Sequence, residues 1–198
     1  MLWTDTSLSA LLAAQCFVTF AAVPLAAMNP SLRWLLGLGH LVFALVCAMV
    51  LTGHRALRSA LIGGLLLLTL GPPLAARFGA NAGFGPDQFH LIMAATALLF
   101  NLLVTVLTAR HTFGPGRVTA HRLQGAVVVY LNVASLFAIA YGLLEMNGPG
   151  SIRTAAGGFL AAMPGERTAE LSYFSLTTIT STGYGDLVPV SLFARSLA

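Results

Sequence analysis

Apolar residues in this chain run in long stretches, separated by short breaks of glycine, proline and polar residues. A helix that crosses a bilayer needs about 20 mostly apolar residues. Runs of that kind cover 8–28, 34–52, 57–76 and 89–109, and a fifth covers 120–145. Asn29-Pro30 separates the first two and Gly53-His54-Arg55 the next two. The stretch from Gly79 to Pro86 predicts a loop, and Gly114-Pro115-Gly116 a linker. The third run is the weakest: Gly71-Pro72-Pro73 predicts a kink or an end, and so a short or re-entrant helix. After residue 145 the pattern changes. Asn147-Gly148-Pro149-Gly150 ends the fifth helix, and a polar stretch with Arg153, Pro164, Glu166, Arg167 and Glu170 follows. A last apolar run, 171–180, is too short to cross. The expected fold is an all-α membrane protein with four N-terminal transmembrane helices.

Composition supports that reading. Only 8% of the 198 residues are charged and 57% are hydrophobic, where a globular domain carries about 25% charged residues. Too few charges remain to cover a water-soluble surface, and disorder, collagen and a disulfide scaffold are excluded too. The net charge of +4 comes from ten scattered arginines without a lysine, which does not make a nucleic-acid footprint. Cys16 and Cys47 sit inside apolar runs and read as small buried hydrophobes. The first basic residue is Arg33, so 8–28 lacks the basic start of a signal peptide and reads as a retained span.

Arginine placement sets the expected orientation. The second-to-third connection carries Arg55 and Arg58, and the fourth-to-fifth carries Arg110, Arg117 and Arg122 with His111 and His121. The first-to-second has Arg33 alone, and the third-to-fourth offsets Arg77 with Asp87. Arginine-rich loops stay cytoplasmic, so the N-terminus is expected inside and the segment after 145 outside. Trp3 and Trp34 lie where interfacial anchors would. The alanine-, glycine- and arginine-rich usage suggests a bacterial inner membrane.

The short run ends in Thr180-Ser181-Thr182-Gly183-Tyr184-Gly185-Asp186. Non-helical backbone at membrane depth is tolerated only when buried in protein or lining an aqueous cavity. Residues 173–188, YFSLTTITSTGYGDLV, resemble the pore helix and selectivity filter of the potassium channel family. The likeness is specific over 170–190. It is architectural over the fifth helix, which stands where an outer pore helix would, and amounts to span counting over 1–110, as in six-span channels. The resemblance implies an ion-binding segment of Ser181, Thr182, Gly183, Tyr184 and Gly185, whose backbone carbonyls replace the water around a dehydrated K⁺. Gly183 and Gly185 supply backbone conformations that other residues adopt only with strain. The Ser181 hydroxyl is expected to cap the inner end, and Tyr184 to brace against aromatics of neighbouring pore helices. Thr180, Thr177, the pair Tyr173-Phe174 and Asp186 are the expected filter support, with Asp186 at the outer mouth. The carbonyl end of the short helix favours a cation, and Glu170 complements the opposite pole.

This chain departs from the family in two ways. Ser181 and Thr182 stand where the family most often has Thr and Val, and Thr182 is placed to hydrogen-bond behind the filter. The family also has an inner helix after the filter, where this chain stops at Ala198. The expectation is an incomplete pore domain over 118–198 that inserts without conducting. A single filter motif implies a homotetramer, with three further copies and membrane lipid as partners. Span 89–109 has no arginine before Arg110, so 1–110 is expected to carry no voltage-sensing charges. The expected activity is passive K⁺ transport, without catalysis or a cofactor. One rival is a truncated or non-conducting homologue. Another is a membrane haem or metal protein using His40 and His54, which lie four helical turns apart. Since His54 adjoins Arg55 at a span end, a packed histidine and a loop histidine are the simpler account. Asn101 and Asn132 are expected to hydrogen-bond between helices, and Glu145 to be a solvated helix end.

Overall fold

The computed structural model describes residues 2–32, 34–50, 55–78, 86–115 and 119–198. The first span is one continuous helical run: α1 (Leu2–Phe17), a π-helical segment (Val18–Ala22) and α2 (Val23–Met28). The π spacing has a local cause. Pro24 has no N–H, and just before it the ladder widens so that the Val23 N–H donates to the Val18 carbonyl. Asn29 then ends the helix, its side-chain oxygen accepting from the Ser31 N–H and hydroxyl at 3.1 and 2.8 Å. The other long helices are α3 (Trp34–Val50), α4 (Arg55–Phe78), α5 (Pro86–Thr112) and α6 (Ala120–Asn147).

Among the described residues, Leu8–Met28, Gln88–Thr112 and Ala120–Asn147 are long and apolar enough to cross a membrane. Shorter apolar stretches, Trp34–Phe43 and Ser59–Gly71, occupy the second and third predicted spans. The structure corrects the sequence reading of the third, because α4 passes through Gly71-Pro72-Pro73 and continues to Phe78. His54 and the 79–85 loop lie outside the described residues, as do the side chains of His40 and Cys47.

Leu8 and Leu11 of α1, Phe43 of α3, Leu61 of α4, Phe100 and Val104 of α5, and Val128 of α6 form one buried cluster. The N-terminal helices therefore share a core with α6. Small residues let the helices approach: a Cβ at Gly39 would run into Val18, and one at Gly125 into Thr112. Two polar pairs cross the interface of α1 and α6, Ser9 to Gln124 at 2.7 Å and Gln15 to Ser135 at 3.2 Å. The expected asparagine bridges are not formed. Asn132 is fully buried with both amide atoms unpartnered, and Asn101 meets Thr105 of its own helix.

The mostly helical chain agrees with the expected all-α membrane protein, with one small addition that the sequence did not announce. β1 (Ile152–Thr154) pairs antiparallel with β2 (Leu187–Pro189), Arg153 opposite Val188. Between them lies α7 (Pro164–Ile179), and α8 (Leu192–Leu197) follows. Three-residue strands carry no readable alternation in sequence. A second buried cluster, with Tyr141, Ile152, Leu160, Leu171, Phe174 and Ala194, joins these elements to the C-terminal half of α6.

Candidate functional site

The short helix α7 is fixed at both ends before the glycine motif begins. Pro164 pre-sets its first turn and Glu166 lies there, complementing the helix dipole. Arg167 donates to the carbonyls of Ala161 and Ala162 at 3.0 and 3.2 Å. Glu170 accepts from the Ala161 N–H at 2.7 Å, a tether beyond the dipole role expected of it. Gly165 packs against α2, where a Cβ would come within 3.0 Å of the Ala26 carbonyl oxygen. On the buried face, the Ser175 hydroxyl donates to the Ala134 carbonyl of α6 at 2.6 Å. The ring of Phe174 meets Tyr141 edge-on, with centroids 5.0 Å apart, and the Tyr141 hydroxyl donates to the Leu197 carbonyl.

At Thr180 the helix stops and the backbone alternates. Ser181, Gly183 and Gly185 have φ of 55°, 50° and 77°, whereas Thr182 and Tyr184 do not have positive φ. The sequence placed the left-handed conformation at the two glycines only, so Ser181 is an addition, and a strained one. The N–H groups of this stretch turn back to α7. Ser181 donates to Thr178, and both Thr182 and Gly183 donate to the Thr177 carbonyl, at 2.9 and 3.1 Å. Among the described residues no hydrogen bond reaches the carbonyls of Ser181, Thr182, Gly183 or Tyr184. Residues 180–186 are exposed. The result is a run of carbonyl oxygens without donors, held at its start by the occupied N–H groups of Ser181, Thr182 and Gly183. Backbone oxygens so placed can ligand a dehydrated cation.

The support residues divide. The Thr177 carbonyl is the anchor just described. Thr180 donates its hydroxyl to the Leu176 carbonyl, and the Thr182 hydroxyl lies 2.8 Å from it, so Thr182 does bond within the turn. Tyr184, 72% exposed, stacks on Tyr173 of its own α7 with centroids 6.3 Å apart and planes 3° off parallel. The aromatic contact found is therefore within the chain. Within the chain the Phe174 ring faces Tyr141 of α6 and not the turn.

Asp186 accepts from its neighbour's N–H, Leu187, at 3.0 Å, and its carbonyl accepts from Ala155 at 2.8 Å. Desolvation holds the Tyr173 phenol above its ordinary pKa, reinforced by its hydrogen bond to Asp186 and by the charges of Asp186 and Tyr184. The Ser151 carbonyl takes both the Val190 and Ser191 N–H groups, which extends the pairing of β1 and β2.

Glu145 is not a solvated helix end. It is 7% exposed, and its carboxylate accepts from Ile152 at 2.6 Å and Gly150 at 3.0 Å. Sequence reasoning missed Tyr141, Ser175 and this role of Glu145. A signal existed for Glu145: an acid at a helix C-terminus opposes the dipole and needs donors nearby.

Searches of curated proteins and of solved structures found no match to this chain. A family model described as an ion channel matches residues 150–198, the segment that holds both strands, α7, the alternating turn and α8. That part of the chain is similar to an ion channel domain, which together with the long apolar helices supports a channel subunit seated in a membrane.

Proposed function

We propose that this protein is a subunit of a potassium-selective channel, passing K⁺ down its gradient through a pore built from four copies. The observation that carries the reading is the alternating φ at Ser181, Gly183 and Gly185 beside carbonyls that receive no hydrogen bond. One chain presents one row of oxygens. Four rows around an axis surround a dehydrated cation, and a mouth bearing Asp186 raises the local cation concentration. The exposure of 180–186 in the single chain suits a segment that is completed by other copies. In this reading Tyr173 and Asp186 hold the outer end of the filter, and Thr177 the inner end. The chain is of the six-span type without voltage-sensing charges, in the bacterial inner membrane with its N-terminus inside.

The test is complementation. Expressed from its own gene in a bacterium that lacks potassium uptake, the protein is expected to restore growth at low K⁺ and to give Rb⁺ uptake blocked by Ba²⁺. Membrane-inserted protein that gives neither, or that passes Na⁺ as readily as Rb⁺, overturns the potassium assignment.

A further inference from the structure

Between the π-helical segment, α5, α6 and α7 there is a cavity of about 400 Å³, within the size range of ligand sites, roughly 300–1,000 Å³. The π-helical segment forms one wall with Val18 and Thr19, α5 contributes Ala97, α6 contributes Ala138, and α7 runs alongside from Arg167 to Leu176. The nine helical steps from Arg167 to Leu176 make the site roughly 13.5 Å long at about 1.5 Å per residue. The walls are mostly apolar, with Thr19, Asn101, Ser135, Thr168 and Ser172 as the polar members beside Arg167, so most of the interior suits a hydrocarbon chain. The rim at the start of α7 is different. Arg167 lines it and donates only to the carbonyls of Ala161 and Ala162. No carboxylate pairs with that guanidinium among the described residues. An elongated apolar slot with a cation at one end is complementary to an acyl chain with an anionic head.

We infer that this cavity seats one acyl chain of an anionic membrane lipid, with Arg167 holding the headgroup. The chain end lies against Leu176, whose carbonyl receives both the N–H and the hydroxyl of Thr180. The occupant thus touches the turn of α7 from which the alternating backbone departs. Any effect on ion flux rests on the channel reading, whereas binding does not, and the experiment reads binding.

Native mass spectrometry of the full chain, released from micelles holding phosphatidylglycerol and phosphatidylcholine in equal amounts, tests it. The chain is expected to retain one phosphatidylglycerol in preference to phosphatidylcholine. Arg167→Gln should cut phosphatidylglycerol retention about fivefold, the worth of one basic side chain against anionic lipid, and Arg167→Lys should keep the preference. Ala97→Phe fills the slot and should remove retained lipid while Arg167 stays in place. Circular dichroism checks that each variant keeps its helices. Equal retention of the two lipids, or phosphatidylglycerol retention that survives Ala97→Phe, overturns the proposal. So does efficient disulfide cross-linking between copies through a cysteine at Ile139 in a background free of Cys16 and Cys47, because a second copy then covers the slot.

Discussion

At the residue scale, the turn between Thr180 and Asp186 places three residues in the left-handed region, and only two of them are glycine. An L side chain there costs roughly 1–2 kcal/mol. Nothing lies within 4 Å of where a Cβ would stand at Gly183 or Gly185, so Gly183→Ala acts through φ and not through a clash within the chain. Repeated in four copies, that strain is expected to tilt the carbonyl row and abolish Rb⁺ flux while leaving membrane insertion intact. Unchanged flux would show that this row does not ligand the ion. Ser181→Gly goes the other way. It relieves the strain but adds about 0.5–1 kcal/mol of glycine entropy, so a small net stabilisation, under about 1 kcal/mol, should appear as a slightly raised Tm.

Tyr173 gives a pH dependence whose sign follows from its raised pKa. The fold favours the neutral phenol. Its contribution is therefore present below the unfolded value of 10.0 and is lost as the pH rises through the higher folded value. The Tyr173 component of the tyrosinate absorbance should titrate late, and Asp186→Asn should bring it earlier. A titration unaffected by that change would separate Tyr173 from Asp186.

At the element scale, β1 and β2 are too short to persist alone, and what holds them is the end of α6. Glu145 accepts two buried N–H groups, from Gly150 and Ile152. Leaving a buried donor unpaired costs about 1–3 kcal/mol. Glu145→Ala should therefore lower the melting temperature and speed amide exchange at Ile152, with Glu145→Gln between the two. Exchange at Ile152 equal to wild type in Glu145→Ala would mean that pairing with β2 suffices by itself. The helix boundaries of α5 and α6 were legible because apolar length and the flanking glycines and prolines are local signals. The passage of α4 through Gly71-Pro72-Pro73 was not, because local rules price the missing N–H groups without the packing that offsets them.

At the scale of the molecule, arginine asymmetry predicts residues 110–122 inside and 148–167 outside. Single cysteines at Gly114 and Gly157, in a background free of Cys16 and Cys47, check this with a membrane-impermeant reagent. Labelling from outside is expected at 157 and not at 114, and the reverse pattern inverts the topology. The shared core of the N-terminal helices with α6, and the contact of α2 with Gly165, mean that the first span reaches α7 directly. Nothing in the spacing of residues 8–28 announces that contact, since it joins positions about 140 apart.

Three long apolar helices, the end of α7 at the Thr-Ser-Thr-Gly-Tyr-Gly-Asp stretch and the positive φ at Gly183 and Gly185 were all readable from the amino-acid order. These follow from local chemistry: apolar length, missing Cβ atoms and missing N–H groups. It took the folded chain to show that Ser181 also turns left-handed, that Phe174 faces Tyr141 and not the turn, that Glu145 is buried, and that the Asn132 amide lacks a partner among the described residues. Each of those depends on which distant backbone or side chain arrives beside the residue. A carboxylate with two N–H groups in reach can be buried, and the same carboxylate without them stays in water.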